Sequence, residues 1–537
     1  MNTPNSYTHR ALELRAAEYY AGIRKPESEW QTLEDLAPQL AEFDHYVQAE
    51  NYEKAAELIN HLDTAYLFRW GQYAQLVAMR TRLQGRLESP ILQMRNQGRL
   101  ARAHHNLGQL EIAIALYQAA ATLALENDAQ LEYGAWLGYT GIAYFDQGRN
   151  DLAIQCYEQA LSIARSIEDR HHESQWLGYL GLAYRFVGQL EKTVALTAQA
   201  LTISDELGDN TQRGNWLNIL GYAYRIMSKH QSALTAYQEA LQVNHTLGNR
   251  RREIESRHGL GRIYVEQGQF HEAIAIYQAA LQMAREIGQR ANESYILGSM
   301  GQAFFMLGDE IRAFELQHSA LSIAQEIAHL REEGGMNGRM GEIYVRLGEL
   351  VKARQWYEQA LNLAYKTSDT RRIRQHWIFL SRIALMQGTF QEAVRACDKA
   401  MQAETQESQH QLALLQGIVN LYRSTSLACN SFTDAISYCR EILMQTATLY
   451  EPQYTLATAF VGQAICDPRW SDPTQRTDLL APSLTEYRRA LAITAAPGVV
   501  RDALRDLELI RAAGIEGLEP VFELLETNIL DAQSTSG

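Results

Sequence analysis

Apolar and small residues recur through the middle of the chain with a fixed spacing of 40 residues. Within one period, Leu137, Thr140, Gly141 and Tyr144 follow one another at three- and four-residue steps, which places them on one face of a helix. A second apolar stripe follows and ends in an Ala-Leu or Ala-Met pair at positions 160–161, 200–201, 240–241, 280–281, 320–321, 360–361 and 400–401. Each period therefore predicts two helices.

Two glycine columns keep the same register. The first column lies inside the first helix of each period, where glycine costs about 1 kcal/mol relative to alanine, and it predicts close packing between helices at Gly141, Gly181, Gly221, Gly261, Gly301 and Gly341. The second column predicts the turn between the two helices at Gly148, Gly188, Gly268, Gly308, Gly348 and Gly388, with Ser228 as the exception. A regular repeat of this length predicts a solenoid.

The order of these features resembles the tetratricopeptide repeat, over eight units at residues 91–402. The resemblance implies an all-α fold, a right-handed superhelical α-solenoid with irregular helical N- and C-terminal ends. We predict an N-terminal helical region of degenerate repeats at residues 1–90, with residues 64–87 as one long helix. Degenerate repeats and a helical cap are predicted at 403–530, and a disordered tail at 531–537.

A second resemblance involves both ends. The strings LRAAEYYAGIRKPESEW, LEDLAPQLAEFDHYVQAENYEKAAELI and YLFRWGQYAQLVAMRTRLQGRL resemble the segment that joins the nucleotide-binding module to the repeats in bacterial STAND NTPases of the NB-ARC-like kind. YTLATAFVGQAICD and LTEYRRALAITAAPGVVRDALRDLELI resemble the end of those repeat arrays. The family implies a ligand-sensing region, with an NTPase module as a partner in cis or in trans. No Gly-Lys dipeptide is present for a P-loop, so the chain is either a sensor half of a longer protein or a stand-alone relative.

Composition narrows the function further. A net charge of −14 argues against general nucleic-acid binding, and the sequence contains no apolar run long enough to cross a membrane. We therefore expect a cytoplasmic protein whose five cysteines are reduced. No metal, cofactor or catalytic motif is recognisable, so we predict a protein that is not an enzyme.

The resemblance places the first helices on a concave face that binds peptides. When residues are assigned to this face in each unit, it has seven arginines and four acidic residues. Its charge is therefore positive, whereas the net charge of the chain is negative. We predict a groove for an acidic, partly apolar segment, with candidate residues Arg102, Phe145, Arg185, Phe186, Asn215, Asn218, Tyr222, Arg225, His258, Arg262, Tyr295 and Phe305.

Two alternatives stay open at this point. Glu255 or Glu266 could pair with Arg225 and Arg262, in which case these arginines would be structural. The chain could also be a stand-alone adaptor that assembles proteins through its outer surface, with the groove structural or partly filled by its own C-terminal helices.

Overall fold

The computed structural model describes residues 8–403, 405 and 407–535, with side chains as far as residue 530. Within these residues there are 26 α-helices and no β-strand. The predicted all-α architecture of repeated helical hairpins is confirmed. The helices form two compact units, one extending to Asp209 and the other starting at Asn210.

The first unit contains ten α-helices among its described residues. They are α1 His9–Gly22, α2 Ala37–Gln48, α3 Tyr52–Leu62, α4 Tyr73–Thr81, α5 Pro90–Asn106, α6 Leu110–Glu126, α7 Gln130–Asp146, α8 Asn150–Ser166, α9 Arg170–Phe186 and α10 Leu190–Leu207. Two 3₁₀ turns, Glu27–Glu29 and Glu34–Leu36, precede α2, and a π-helical turn, Asp63–Leu67, follows α3.

The second unit continues the hairpins and adds the C-terminal helices. Its α-helices are α11 Asn210–Ile226, α12 His230–Thr246, α13 Arg250–Glu266, α14 Phe270–Glu286, α15 Arg290–Leu307, α16 Glu310–Glu326, α17 Leu330–Arg346, α18 Leu350–Lys366, α19 Thr370–Met386, α20 Phe390–Gln402, α21 Gln409–Leu421, α22 Thr425–Gln445, α23 Tyr450–Cys466, α24 Arg476–Ile493, α25 Pro497–Ala512 and α26 Glu519–Thr535. A 3₁₀ turn, Pro468–Ser471, lies between α23 and α24.

The first glycine column lies where the two helices of a hairpin approach most closely. A Cβ atom on Gly261 would lie 2.3 Å from the Tyr277 ring, and one on Gly141 would lie 2.7 Å from the Tyr157 ring. The same contact is made where tyrosine is replaced, since a Cβ on Gly181 would lie 2.4 Å from Thr197 Oγ1. Glycine is required because no other residue leaves room for the partner side chain.

The turn between the helices needs a left-handed backbone conformation. Gly148 has φ of 79°, and Ser228, the exception in this column, still adopts φ of 58°. Only glycine adopts this region without a steric cost. The geometry of the hairpin therefore dictates the turn conformation, even where the sequence departs from glycine.

Three features differ from the sequence-based expectations. Residues 64–87 do not form one long helix, because Gly71 has φ of 71° and separates the π-helical turn from α4. Cys429 and Cys466 are joined by a disulfide between α22 and α23, whereas all cysteines were expected to be reduced. Helix α26 extends to Thr535, so it includes residues 531–535 of the segment predicted to be a disordered tail, and residues 536–537 lie outside the described part of the chain.

Replacing Gly261 with alanine should destabilise the second unit. Overpacking against Tyr277 costs about 1–3 kcal/mol, whereas alanine regains about 1 kcal/mol of helix propensity. Because a contact of 2.3 Å forces the Tyr277 ring to move, we place the overpacking cost in the upper part of this range, about 2–3 kcal/mol, and expect a net loss of about 1–2 kcal/mol in the free energy of unfolding, measured by urea denaturation followed by circular dichroism. Gly22→Ala is the control, because nothing lies within 4 Å of a Cβ at that position. Equal unfolding midpoints for Gly261→Ala and the wild type would contradict the packing role.

Candidate functional site

Within each unit, first helices of successive hairpins pack side by side and form a face. In the second unit, α11 contacts α13, α13 contacts α15, α15 contacts α17, and α17 contacts α19. In the first unit, α7 and α9 make the equivalent contact. We call the face of these helices in either unit, with α5 in the first, the first-helix surface of that unit. All twelve candidate residues lie on these helices.

In the first unit, Arg102 has a structural environment. Its guanidinium lies 3.7 Å from the centroid of the Phe68 ring and 3.5 Å from Asp63 Oδ1. Asp63 also accepts a hydrogen bond of 2.9 Å from Arg80 Nε, and neither the Asp63 nor the Arg80 side chain is more than 2% exposed. Arg102 therefore helps to join α5 to the N-terminal helices.

Phe145 and Phe186 form the aromatic part of the first unit's surface. Their rings meet edge to face, with centroids 4.9 Å apart, and Phe186 is 36% exposed. The Arg185 guanidinium lies 4.6 Å from the centroid of the Phe186 ring. The structure thus brings these three residues together as one half-exposed cluster that has both apolar and cationic character.

In the second unit, helix α25 covers part of the first-helix surface. Arg346 Nη2, at the end of α17, donates to Gly498 O at 3.0 Å and lies 3.0 Å from Asp502 Oδ1. Arg382 on α19 makes the same kind of contact with Asp506, at 3.0 Å between Nη2 and Oδ2. The arginines of the surface thus bind two aspartates of a helix of the same chain.

The covered region includes one of the candidate residues. Phe305 is 4% exposed, and the Arg346 guanidinium lies 3.4 Å from its ring centroid. A Cβ on Gly498 would lie 2.3 Å from Phe305 O, so α25 approaches α15 as closely as a glycine allows. The prediction that Phe305 is an open apolar anchor is wrong, because α25 and Arg346 occupy the space above it.

Arg225 is also engaged within the chain. It is 5% exposed and pairs with Glu266, which accepts a second hydrogen bond from His230 Nε2 at 2.8 Å. Burial alone would lower the pKa of Arg225, but the charge of Glu266 raises it above its ordinary value. The alternative that Arg225 pairs with Glu266 is correct, although Arg225 Nε and Nη2 have no hydrogen-bond partner in the described residues.

The remaining candidates of the second unit surround this pair. His258 Nε2 lies 2.9 Å from Ser299 Oγ, and Tyr295 Oη lies 3.2 Å from His329 Nε2. Burial and the charges of Arg262, Arg339 and Arg225 lower the pKa of His258 to about 3, so this ring is neutral at pH 7. The Tyr222 ring lies 5.3 Å from the Arg225 guanidinium. Two amides complete the group, at Asn215 and Asn218.

Arg339 belongs to the same surface and was not predicted from the sequence, whereas Glu342 is one of the four acidic residues that the sequence assigned to this face. The positions equivalent to Arg339 in neighbouring repeats, Gly259 and Ser299, are buried, so the repeat register assigns this position to the core. Arg339 instead extends over Gly298, where a Cβ would lie 2.7 Å from its Nη1. The place of Arg339 within its repeat therefore gave no signal that its side chain would lie on this surface.

Other kinds of site are not evident in the described residues. No group of three His, Cys, Asp or Glu side chains is arranged to hold a metal ion in that part of the chain. Of the helices described, none has the length and apolarity needed to cross a membrane. The first-helix surface is therefore the main candidate for a binding site.

The comparisons define a helical-repeat protein. Two descriptions of the tetratricopeptide repeat match the chain, one at residues 91–166, 172–244 and 252–326 and the other at residues 338–371. The hairpins in these segments are tetratricopeptide repeats, as their sequence predicted. A comparison with curated proteins finds no match.

Several solved structures share the fold at low identity. A Rap protein complexed with competence and sporulation factor is 16% identical, with 69% of this chain and 98% of that chain covered and a TM-score of 0.49. Aspartyl phosphate phosphatase F from Bacillus subtilis is 15% identical, with 70% and 94% covered and a TM-score of 0.44. A STAND protein with a tetratricopeptide repeat sensor from Pyrococcus horikoshii is 14% identical, with 68% and 53% covered and a TM-score of 0.46. These similarities are too low to bear on function.

Replacing Glu342 with glutamine should make the second unit more stable at high pH. Burial and the Asp502 charge raise the pKa of Glu342 to about 7, against the opposing charges of Arg339, Arg505 and Arg346. A carboxyl whose pKa is raised on folding takes up a proton, so its contribution to stability is lost as the pH rises from about 4.5 to about 7. Glutamine has no charge to bury. Since Glu342 is partly exposed, we expect a gain of roughly 1–3 kcal/mol at pH 8.

The measurement is urea denaturation at pH 5 and pH 8. The gain should be much smaller at pH 5, where Glu342 is already mostly protonated. Glu349→Gln is the matched control, because this glutamate is 46% exposed and pairs with the exposed Lys352, and ion pairs in water contribute little to stability. The same stability change at both pH values would show that the Glu342 carboxyl does not titrate near pH 7.

Proposed function

We propose that this chain is a protein- or peptide-binding module whose ligand, an acidic and partly apolar segment, lies on the part of the first-helix surface that α25 leaves open. The docking of α25 is the observation that carries this proposal. The chain's own helix α25 places Asp502 on Arg346 and Asp506 on Arg382, each at 3.0 Å. The surface therefore has the chemistry that binds such a segment.

The two units contribute different contacts to this proposed function. The first unit supplies an apolar anchor with a cation above it, the cluster of Phe145, Arg185 and Phe186. The second unit supplies arginines and amides on its own first-helix surface, including Arg262 and Asn218. Aromatic and arginine side chains are the residues that most often dominate binding energy at interfaces. The role we propose is binding, without catalysis.

We further propose that the module acts as the ligand sensor or scaffold of a STAND-type signalling system. This step rests on the sequence resemblance of residues 14–87 and 454–510 to the segments that flank the repeats in that family. In this arrangement an NTPase module, in cis or in trans, would respond to the ligand held by the repeats.

One observation favours a second candidate, an adaptor that binds through its outer surface. Ile311 and Val351 occupy equivalent positions on the second helices α16 and α18, and they are 75% and 67% exposed. Two large apolar side chains in register on the outer face would suit a protein partner. In that case the first-helix surface would serve mainly to hold α25.

A capture experiment from native lysate separates the two candidates. We expect Arg185→Glu with Arg262→Glu to lose the bound partner by at least tenfold in quantitative mass spectrometry, because an acidic ligand would meet two negative charges. Arg285→Glu with Arg312→Glu is the matched control, since these arginines are 58% and 66% exposed on second helices. Circular dichroism establishes that each variant is folded.

The opposite result would point to the adaptor. Partners retained by Arg185→Glu with Arg262→Glu but lost from Ile311→Ser with Val351→Ser would reject the first-helix surface as the binding site. They would place recognition on the outer face.

A further inference from the structure

Two arginines of the second unit lie on the first-helix surface without an ion-pair partner among the described residues. Arg262 makes no hydrogen bond or ion pair with the described residues, and the one hydrogen bond of Arg339 is a weak contact of 3.9 Å with the Met336 sulfur. Both side chains are partly buried. A partly buried cation without a partner is costly, so the arrangement calls for an explanation.

The two arginines belong to one cluster. Arg339 extends from α17 over Gly298 of α15, and His258 extends from α13 to Ser299, the next residue of α15. Arg262 lies one helical turn after His258 and one turn before Glu266 on α13. Arg339 and His258 therefore reach the same turn of α15 from two non-adjacent first helices, and Arg262 lies one turn further along α13.

Buried donors without partners lie beside this cluster. Arg225 is 5% exposed, and its Nε and Nη2 atoms are buried with no hydrogen-bond partner in the described residues. Asn218 Nδ2 is in the same state, although Asn218 Oδ1 accepts from Ser256 at 2.8 Å. Unsatisfied buried donors are rare in folded proteins, and here they accompany unpaired cations.

The charges within the cluster do not cancel. The Arg225 charge and burial lower the pKa of Arg262, and burial together with the Arg262 charge lowers the pKa of Arg339 to about 10. Both groups stay ionised at pH 7, so they repel each other. Glu266 is already shared by Arg225 and His230, and Glu332 is paired with Arg372 at 3.2 Å. The charge of Glu342 also acts on Arg339, but this carboxyl, whose pKa is raised to about 7, forms no ion pair with Arg339 in the described residues.

We propose that Arg262 and Arg339, with Arg225 and Asn218 as further donors, form an oxyanion-binding site on the first-helix surface. Guanidinium groups present paired N–H donors that match the geometry of carboxylate and phosphate oxygens. The oxyanion is a carboxylate of a bound acidic peptide or a free oxyanion in solution. The statement that the oxyanion belongs to a bound peptide rests on the proposed function. The existence of the oxyanion site does not rest on it.

The test uses purified protein and two probes. The first probe is inorganic phosphate, compared with chloride at constant ionic strength, and the readout is the unfolding temperature. The second probe is a fluorescein-labelled decaglutamate peptide, compared with decalysine, and the readout is fluorescence anisotropy. The variant is Arg262→Gln with Arg339→Gln, and the control is Arg285→Gln with Arg312→Gln, which removes the same charge from second helices.

We expect the dissociation constant for decaglutamate to rise at least tenfold in the Arg262→Gln, Arg339→Gln variant and to change less than twofold in the control. Without any probe, the variant should unfold at the same temperature as the wild type or higher, because the repulsion is gone. If phosphate raises the unfolding temperature of the wild type and the control but not that of this variant, the site also binds free oxyanions. If decaglutamate binds but phosphate has no effect, and the variant loses the peptide, the site is specific for peptide carboxylates.

Equal responses of the variant, the control and the wild type to both probes would overturn the site. Arg262→Met alone serves as a second variant if the double substitution fails to fold, and the same tenfold criterion applies to it.

The result is separable from that of the lysate capture. In one case, Arg185→Glu with Arg262→Glu loses a lysate partner while all proteins bind the probes equally. This result would support the proposed function and reject the oxyanion site. In the other case, Arg262→Gln with Arg339→Gln loses probe binding while Arg185→Glu with Arg262→Glu keeps its lysate partners. This result would support the oxyanion site and reject the proposed function.

Discussion

The close approach of the two helices in each hairpin is the constraint on which the rest of the structure depends. A Cβ on Gly261, Gly221 or Gly341 would lie between 2.3 and 2.9 Å from the tyrosine of the following helix. Because this spacing is uniform, each hairpin presents its first helix at a constant position relative to the next. The first-helix surface is a direct consequence, since residues 40 positions apart become neighbours on it.

That surface collects positive charge in a chain whose net charge is −14. The chain neutralises part of it internally, through Glu266 on Arg225 and through the two aspartates of α25 on Arg346 and Arg382. The apolar side of α25 contributes as well, because Val500, Leu507 and Ile510 are fully buried. Arg262 and Arg339 form no ion pair with a carboxylate of the described residues, and this difference separates them from the arginines that hold the structure together.

The C-terminal segment closes the second unit onto its own repeats. Thr446 Oγ1 donates to Ser228 O across 218 positions of sequence, and Tyr422 Oη donates to Leu509 O at 2.8 Å. Thr494 lies against Gly268, and Pro497 against Gly308. These contacts follow the turns between first and second helices, where exposed backbone carbonyls and glycines allow a close approach. The alternative that the chain's own C-terminal helices partly fill the groove is therefore correct for the surface of helices α15 to α21. These C-terminal helices make no hydrogen bond or ion pair with Arg262 in the described residues.

The sequence alone determined the hairpins, their period of 40 residues and the positions that face the common surface, because local periodicity and glycine placement reflect contacts within one repeat. It could not place α25, since contacts such as Arg346 with Asp502 join residues 156 positions apart that share no repeat register. For the same reason it offered Phe305 as an open anchor and missed Arg339. Which arginines are neutralised and which are left without a carboxylate depends on distances between distant segments, and only the tertiary structure decides these.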